Sequence, residues 1–195
     1  MMKQAIYGLV LYIFLMLPPV ITVTESIMVV HMHMQMPLLV LVGMLFTPYL
    51  KQIFPGFFNK WNDNGIPGIV LFIIVICYWM MLPRTMDEAL TVPAVEVFKF
   101  ISLPFLAGIP LRDSWKKLNS FGKNTVFVSL TILCGVMAWV YIAAPNQLCN
   151  NYIVIEQKAL GWTFLITGLC ILIYFIQSLF VDESLYEEEP STENS

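Results

Sequence analysis

The chain has 195 residues, of which 58% are hydrophobic and only 12% are charged, and its formal net charge is −3. Soluble domains carry about a quarter charged residues, so this composition excludes an ordinary soluble protein. It predicts an all-α integral membrane protein whose surface faces lipid. No basic cluster suits nucleic acid, and the four cysteines occur singly, without the spacing of a metal site or a disulfide framework.

Six apolar segments are long enough to cross a bilayer core of about 30 Å as helices. Their predicted bounds are 5–23, 27–50, 66–83, 93–111, 125–144 and 159–180. The first resembles a signal peptide, but it is long, contains Pro18 and Pro19, and lacks a small-residue cleavage site. We therefore expect it to stay as a span, and we predict a single bundle of about six transmembrane helices over residues 1–181.

The charges outside these segments predict an orientation. Residues 182–195 hold six acidic side chains and no Lys or Arg, which predicts a disordered acidic tail. Most loop and terminal cations occur before the first span and in the second and fourth connections. They are Lys3, Lys51, Lys60, Arg112, Lys116, Lys117 and Lys123, against Arg84 and Lys158 in the other connections. Because cytoplasmic loops retain positive charge, both termini and the tail are predicted to be cytoplasmic.

The second predicted span begins with residues 25–37, where both histidines of the protein alternate with methionines. On an α-helix, one face would carry Glu25, Met28, His31, Met32 and Gln35. Imidazole and thioether ligands together suit Cu(I), so His31 with Met28 and Met32 is the first predicted metal-binding set. His33 points elsewhere and would need a second site, a kink near Pro37 or a partner chain. Packing is the alternative role for the methionines.

Further polar or soft side chains lie on the same predicted side of the membrane as His31. Around the predicted ligands we expect Glu25, Gln35, Met36, Met81, Asp87 and Glu96. This expectation follows from the short connections of spans two, three and four, which favour antiparallel neighbours. Glu96 and Lys99 are one helical turn apart and are predicted to pair, and Arg84 is predicted to pair with Asp87.

Three short motifs carry a family resemblance. They are His31-Met32-His33-Met34-Gln35-Met36-Pro37-Leu38-Leu39, Trp79-Met80-Met81-Leu82-Pro83 and Asp87-Glu88-Ala89-Leu90. Together they resemble the CtaG-type cytochrome c oxidase assembly factors, over roughly residues 25–110. The resemblance implies a multi-spanning protein of the bacterial inner membrane, a chaperone that delivers copper to the oxidase. Family members have a further span and a second histidine pair, whereas residues 95–100 here contain no His. What carries over is chiefly His31 and its methionine neighbours.

Two functions therefore follow from the sequence. The first is a copper-handling assembly factor that binds Cu(I) and passes it to a membrane oxidase by ligand exchange. The alternative is a non-catalytic accessory subunit of a membrane redox complex, in which Met and Phe pack against partner helices. Haem with one His and one Met ligand stays open as a third class. No nucleophile–base pair, phosphate loop or acid–base pair indicates an enzyme.

Overall fold

The computed structural model describes residues 2–180, and within that range it is helical with no β-strand. The prediction of an all-α membrane bundle is confirmed. The predicted acidic tail, residues 182–195, lies outside the described residues. The described residues therefore cover the six predicted spans and the connections between them.

The described residues form nine helices. They are α1 (Met2–Leu15), α2 (Pro18–Glu25), α3 (Met28–Ile53), α4 (Pro55–Trp61), α5 (Ile66–Met81), α6 (Pro83–Thr91), α7 (Pro93–Trp115), α8 (Ser120–Ala143) and α9 (Val154–Phe180). Helices α3, α7, α8 and α9 are each long and apolar enough to cross a membrane. The pairs α1–α2 and α4–α5 pass the same test only when taken together, and they bend by 71° and 85°. The chain thus has four to six candidate spans.

Proline sets several of the helix starts and therefore the bends. Pro18, Pro55, Pro83 and Pro93 each occupy the first position of a helix, where the missing N–H costs no hydrogen bond. The residue before a proline is disfavoured in helical backbone, so helices commonly end there, and each of these four prolines begins a new helix. The turn between α4 and α5 also uses Gly65, whose φ of 78° lies in the left-handed region that favours glycine.

Two of the long helices contain a π-helical turn, at His31–Gln35 in α3 and at Leu103–Gly108 in α7. In α3 the N–H of Met36 donates to the carbonyl of His31, five residues earlier. Such turns are rare and are often found at functional sites. The first of these turns, His31–Gln35, contains both histidines and lies within the stretch 28–36, called the His-Met stretch here.

Close backbone contact joins α3 to α7. A Cβ added to Gly43 would lie 1.9 Å from the Pro104 carbonyl oxygen, and one added to Gly108 would lie 2.1 Å from the Val40 carbonyl oxygen. Small residues at such crossings allow membrane helices to approach closely. A hydrogen bond from Trp79 Nε1 to Ser102 Oγ, 2.9 Å long, ties α5 to α7 as well. Helices α3, α5 and α7 therefore form one packed unit.

Charge is sorted between the two ends of the bundle. One end, called the basic end here, holds seven cations and two carboxylates among the described residues: Lys3, Lys51, Lys60, Arg112, Lys116, Lys117, Lys123, Asp63 and Asp113. The opposite or acidic end holds three cations and five carboxylates: Arg84, Lys99, Lys158, Glu25, Asp87, Glu88, Glu96 and Glu156. Asp113 at the basic end is fully buried and bonded to Lys51 (2.6 Å), Lys117 (3.0 Å) and Asn62 (2.6 Å).

Candidate functional site

His31 is a fully buried imidazole near the acidic end, in the π-helical turn of α3. Neither of its ring nitrogens makes a hydrogen bond of good geometry in the described part of the chain, and the polar side chain that interacts with the ring is Gln35. A buried polar group without a partner costs about 1–3 kcal/mol, and such groups are rare in folded proteins. An unpaired imidazole at this depth is therefore a place where a ligand would complete the bonding.

Buried methionines adjoin His31 along the helix. Met28, Met32 and Met36 are 0%, 6% and 5% exposed. Met28 lies one turn before His31. Because of the π-helical hydrogen bond, Met36 lies one turn after it. Met36 thus takes a position beside His31 that a regular α-helix would not give it. The π-turn is the local feature that assembles this imidazole–thioether stretch.

A buried ion pair lies beside this stretch. The Lys99 ammonium of α7 is fully buried, and it donates to Glu25 Oε1 at the end of α2 and to Gln35 Oε1, 3.4 Å away. Gln35 Nε2 also approaches Glu25 Oε1 at 3.5 Å. The positive charge of Lys99 acts on the His31 ring. The imidazole therefore shares its surroundings with a paired charge rather than with hydrocarbon alone.

These contacts correct two predictions about polar partners. Lys99 pairs with Glu25, not with Glu96, which is half-buried and acts on Lys99 only as a further charge. Arg84 pairs with Glu88, through a 2.7 Å contact, rather than with Asp87. Glu25 was also predicted to lie on the same helix as His31. It instead ends α2, because Ser26 and Ile27 interrupt the helix.

The connection between α8 and α9 lies over this end of the bundle. Asp87 accepts hydrogen bonds from the backbone N–H groups of Asn150 (2.7 Å) and Asn151 (3.3 Å). The Tyr152 hydroxyl donates to the backbone carbonyl of Glu25, 2.8 Å away. Asp87 therefore anchors the loop between α8 and α9. Tyr152 of that loop in turn contacts Glu25, which pairs with Lys99.

Two titratable groups in this connection are strongly perturbed. Burial, reinforced by the nearby Asp87 carboxylate, raises the pKa of the Cys149 thiol to about 12. Burial and the Glu25 carboxylate likewise raise the pKa of Tyr152. Both groups stay neutral at physiological pH. Cys149 is therefore an unreactive thiol in this conformation.

The His-Met stretch also borders a partly open cavity of about 330 Å³. Its lining includes soft side chains from three helices, among them Met32, His33, Met36, Met80 and Cys134. The His33 ring packs edge-on against Phe164, with 4.5 Å between ring centroids, and its Nδ1 atom is buried without a partner. His33 therefore faces α9 and the cavity, whereas His31 lies with Lys99, Glu25 and Gln35.

The structure does not bring Met81 to this region, since its side chain is 48% exposed. Met80 lines the cavity in its place. The sequence favours Met80 over Met81 as the inward-facing residue. The apolar residues Phe72, Val75 and Trp79 recur at the spacing of one helix face. Met80 follows Trp79 directly, whereas Met81 lies two positions beyond it and turns away from that face.

Within residues 2–180, no group of three or more His, Cys, Asp or Glu side chains is arranged to hold a metal ion. A metal at His31 would therefore depend on thioether ligands. Comparisons with protein-family models, with curated proteins and with solved structures find no match to this chain.

Proposed function

We propose that this chain is a membrane copper-handling protein that binds Cu(I) at His31 and passes it to a membrane oxidase, as the CtaG-type assembly factors are implicated in doing. The observation that carries the proposal is the fully buried His31 ring, whose two nitrogens make no hydrogen bond of good geometry and which is flanked along the helix by buried methionines. An ion bound there would supply the missing bond to the imidazole.

The donor set favours Cu(I) over harder metal ions. Thioether sulfur is a soft ligand that selects Cu(I), and imidazole also suits copper. Zinc sites use Cys, His and carboxylate ligands, usually four of them, and His31 has no such set around it. Met28 and Met36 are the thioethers one turn away on either side of His31, and Met32 is the adjacent residue. Met32 and Met36 also line the cavity that His33 faces, so His33 would serve a separate step on the cavity side of these thioethers.

The proposed mechanism is ligand exchange rather than catalysis, and it assigns no enzymatic activity. Cu(I) is the cargo. Glu25 lies at the end of α2 with 13% of its side chain exposed, so it attracts cations towards the site. Lys99 holds this carboxylate in place. The thioethers bind weakly enough to release the ion to a partner subunit with stronger ligands. The recipient would be a cytochrome c oxidase or another membrane redox subunit.

We further propose that the chain crosses the bacterial inner membrane six times with both termini in the cytoplasm. The charge sorting supports this orientation, since the basic end holds seven cations and two carboxylates. The His31 region would then face outward. Reporter fusions test the topology, and a cytoplasmic signal from a fusion at Asn151 would contradict it.

Metal binding to the purified full chain tests the function. Under reducing conditions, wild-type protein in detergent is expected to bind one Cu(I) or Ag(I) per chain, with a tenfold excess of Zn²⁺ as competitor. His31→Ala is expected to abolish that binding, and Met28→Leu with Met36→Leu to weaken it. His33→Ala is the matched control, because it removes the other imidazole from the same helix.

Oxidase activity in cells provides the second measurement. A His31→Ala chain that is present at normal levels is expected to lower the activity of a copper oxidase. If that variant keeps full metal occupancy and full oxidase activity, the copper assignment is wrong. The accessory-subunit function would then account for the buried methionines as packing.

A further inference from the structure

A groove at the basic end is formed where the short helix α4 meets α5 and α7. Its volume is about 570 Å³, and its lining is apolar, with Phe54, Phe57, Trp61, Phe105 and Ile109 among the side chains. Helix α4 is bent by 85° from α5, so it crosses the end of the bundle instead of continuing the span. This geometry is that of a helix lying in the membrane interface.

The side chains of this short segment suit an interface. Phe54 and Phe57 are 56% and 61% exposed, and the rings of Phe57 and Trp61 stack with 6.0 Å between their centroids. Aromatic residues are enriched where membrane hydrocarbon meets the headgroups. The groove that these rings line is apolar, which suits hydrocarbon.

Cations adjoin the groove residues along the chain. Lys51 directly follows the lining residue Leu50, and Lys60 directly precedes the lining residue Trp61. Arg112 comes two residues after the lining residue Pro110. Lys60 and Arg112 are exposed, and neither is used in the buried cluster around Asp113. Lys51 contacts Asp113, but 39% of its side chain is exposed. The groove therefore has an apolar lining, and these three cations lie within two residues of lining residues in the sequence.

We propose that this groove binds an anionic phospholipid, with an acyl chain along the aromatic floor and the headgroup phosphate at Lys60 and Arg112. Clusters of Lys and Arg beside a membrane helix attract anionic lipids, and the seven cations of the basic end supply the complementary charge. The bound lipid would fill the space between α4 and the bundle and so fix this short helix. The site is independent of copper and lies at the opposite end of the molecule.

Native mass spectrometry of the detergent-purified full chain tests the site by titration with phosphatidylglycerol and with phosphatidylcholine of the same acyl chains. The wild-type chain is expected to retain phosphatidylglycerol preferentially. Lys60→Gln with Arg112→Gln is expected to weaken that binding by about 30-fold, since each cation near a membrane surface contributes a factor of about five. Both positions are exposed, so the variant is expected to keep the wild-type melting temperature.

The matched control is Arg84→Gln with Lys158→Gln, which removes two cations from the acidic end and is expected to leave phosphatidylglycerol binding unchanged. Excess inorganic phosphate is expected to leave the lipid bound, because the acyl chain also contributes. The proposal fails if the two lipids bind equally or if the control lowers binding as much as the test variant. Complete displacement by inorganic phosphate would also overturn it, since the site would then bind only the anion.

Discussion

The buried ion pair between Glu25 and Lys99 gives the sharpest test of how the acidic end is held together. Three variants separate the contributions of the two charges to stability. They are Glu25→Gln, Lys99→Met, and the two changes combined. The ammonium of Lys99 is fully buried, whereas 13% of the Glu25 side chain is exposed. The two single changes therefore leave different charges behind, in different surroundings.

The size of each effect follows from what is left unpaired. Glu25→Gln leaves a buried ammonium with only neutral amide oxygens as acceptors, that of the new side chain and Gln35 Oε1 at 3.4 Å, and removing the charged partner of a buried pair costs about 3–5 kcal/mol. Lys99→Met leaves a carboxylate that water reaches, so its expected cost is about 1–3 kcal/mol. The combined variant has no unpaired charge. Its cost is expected to be close to that of Lys99→Met, which makes the two changes non-additive by about 3–5 kcal/mol, the cost of Glu25→Gln alone.

The free energy of unfolding in detergent micelles, measured by denaturant titration, checks these values. Arg84→Gln with Glu88→Gln is the control, because that pair is 89% and 38% exposed and is expected to contribute less than about 1 kcal/mol. The reasoning is refuted if Glu25→Gln costs no more than this control. Strict additivity of the two single changes would refute it as well.

Three further predictions concern the loop, the helix crossing and the basic end. Cys149 in wild-type protein is expected to resist a charged maleimide at pH 8, because its thiol is buried with its pKa raised to about 12, and Asp87→Ala is expected to make it reactive. Gly108→Ala is expected to lower stability by about 3 kcal/mol or more in thermal unfolding, while Gly135→Ala, which meets nothing within 4 Å, is expected to be neutral. Asp113→Asn is expected to cost about 1–3 kcal/mol in a denaturant titration, because it leaves Lys51 and Lys117, whose side chains water reaches, without their charged partner.

Much of the bundle could be predicted because apolar length is a strong signal. Residues 125–144 and 159–180 correspond closely to α8 and α9, where a continuous apolar run has one stable conformation in lipid. Residues 5–23 illustrate the limit of this signal. Hydropathy continues through Pro18, but the proline permits a helix to restart at an angle, and the structure bends there by 71°. Composition reports how apolar a segment is and not its direction.

The site was less accessible to sequence reasoning because its polar contacts join distant residues. A wheel predicts neighbours within one helix, and so it paired Lys99 with Glu96. The observed partner, Glu25, lies 74 residues away and reaches Lys99 because α2 ends beside α7. The π-turn is a second feature that a wheel of constant pitch cannot contain, and it is the reason that Met36 lies one turn from His31.

The pairing of Lys99 with Glu25 also bears on which ion the His31 region would accept. Glu25 balances the ammonium, so the cluster is close to neutral before an ion arrives. Coulomb energy is proportional to charge, so the repulsion of an ion by Lys99 and its attraction to Glu25 both double from a monovalent to a divalent cation, and the two terms offset each other. In a buried setting both terms are weakly screened. The preference for Cu(I) over Zn²⁺ would therefore come from the soft thioether and imidazole donors and not from the charge of Lys99.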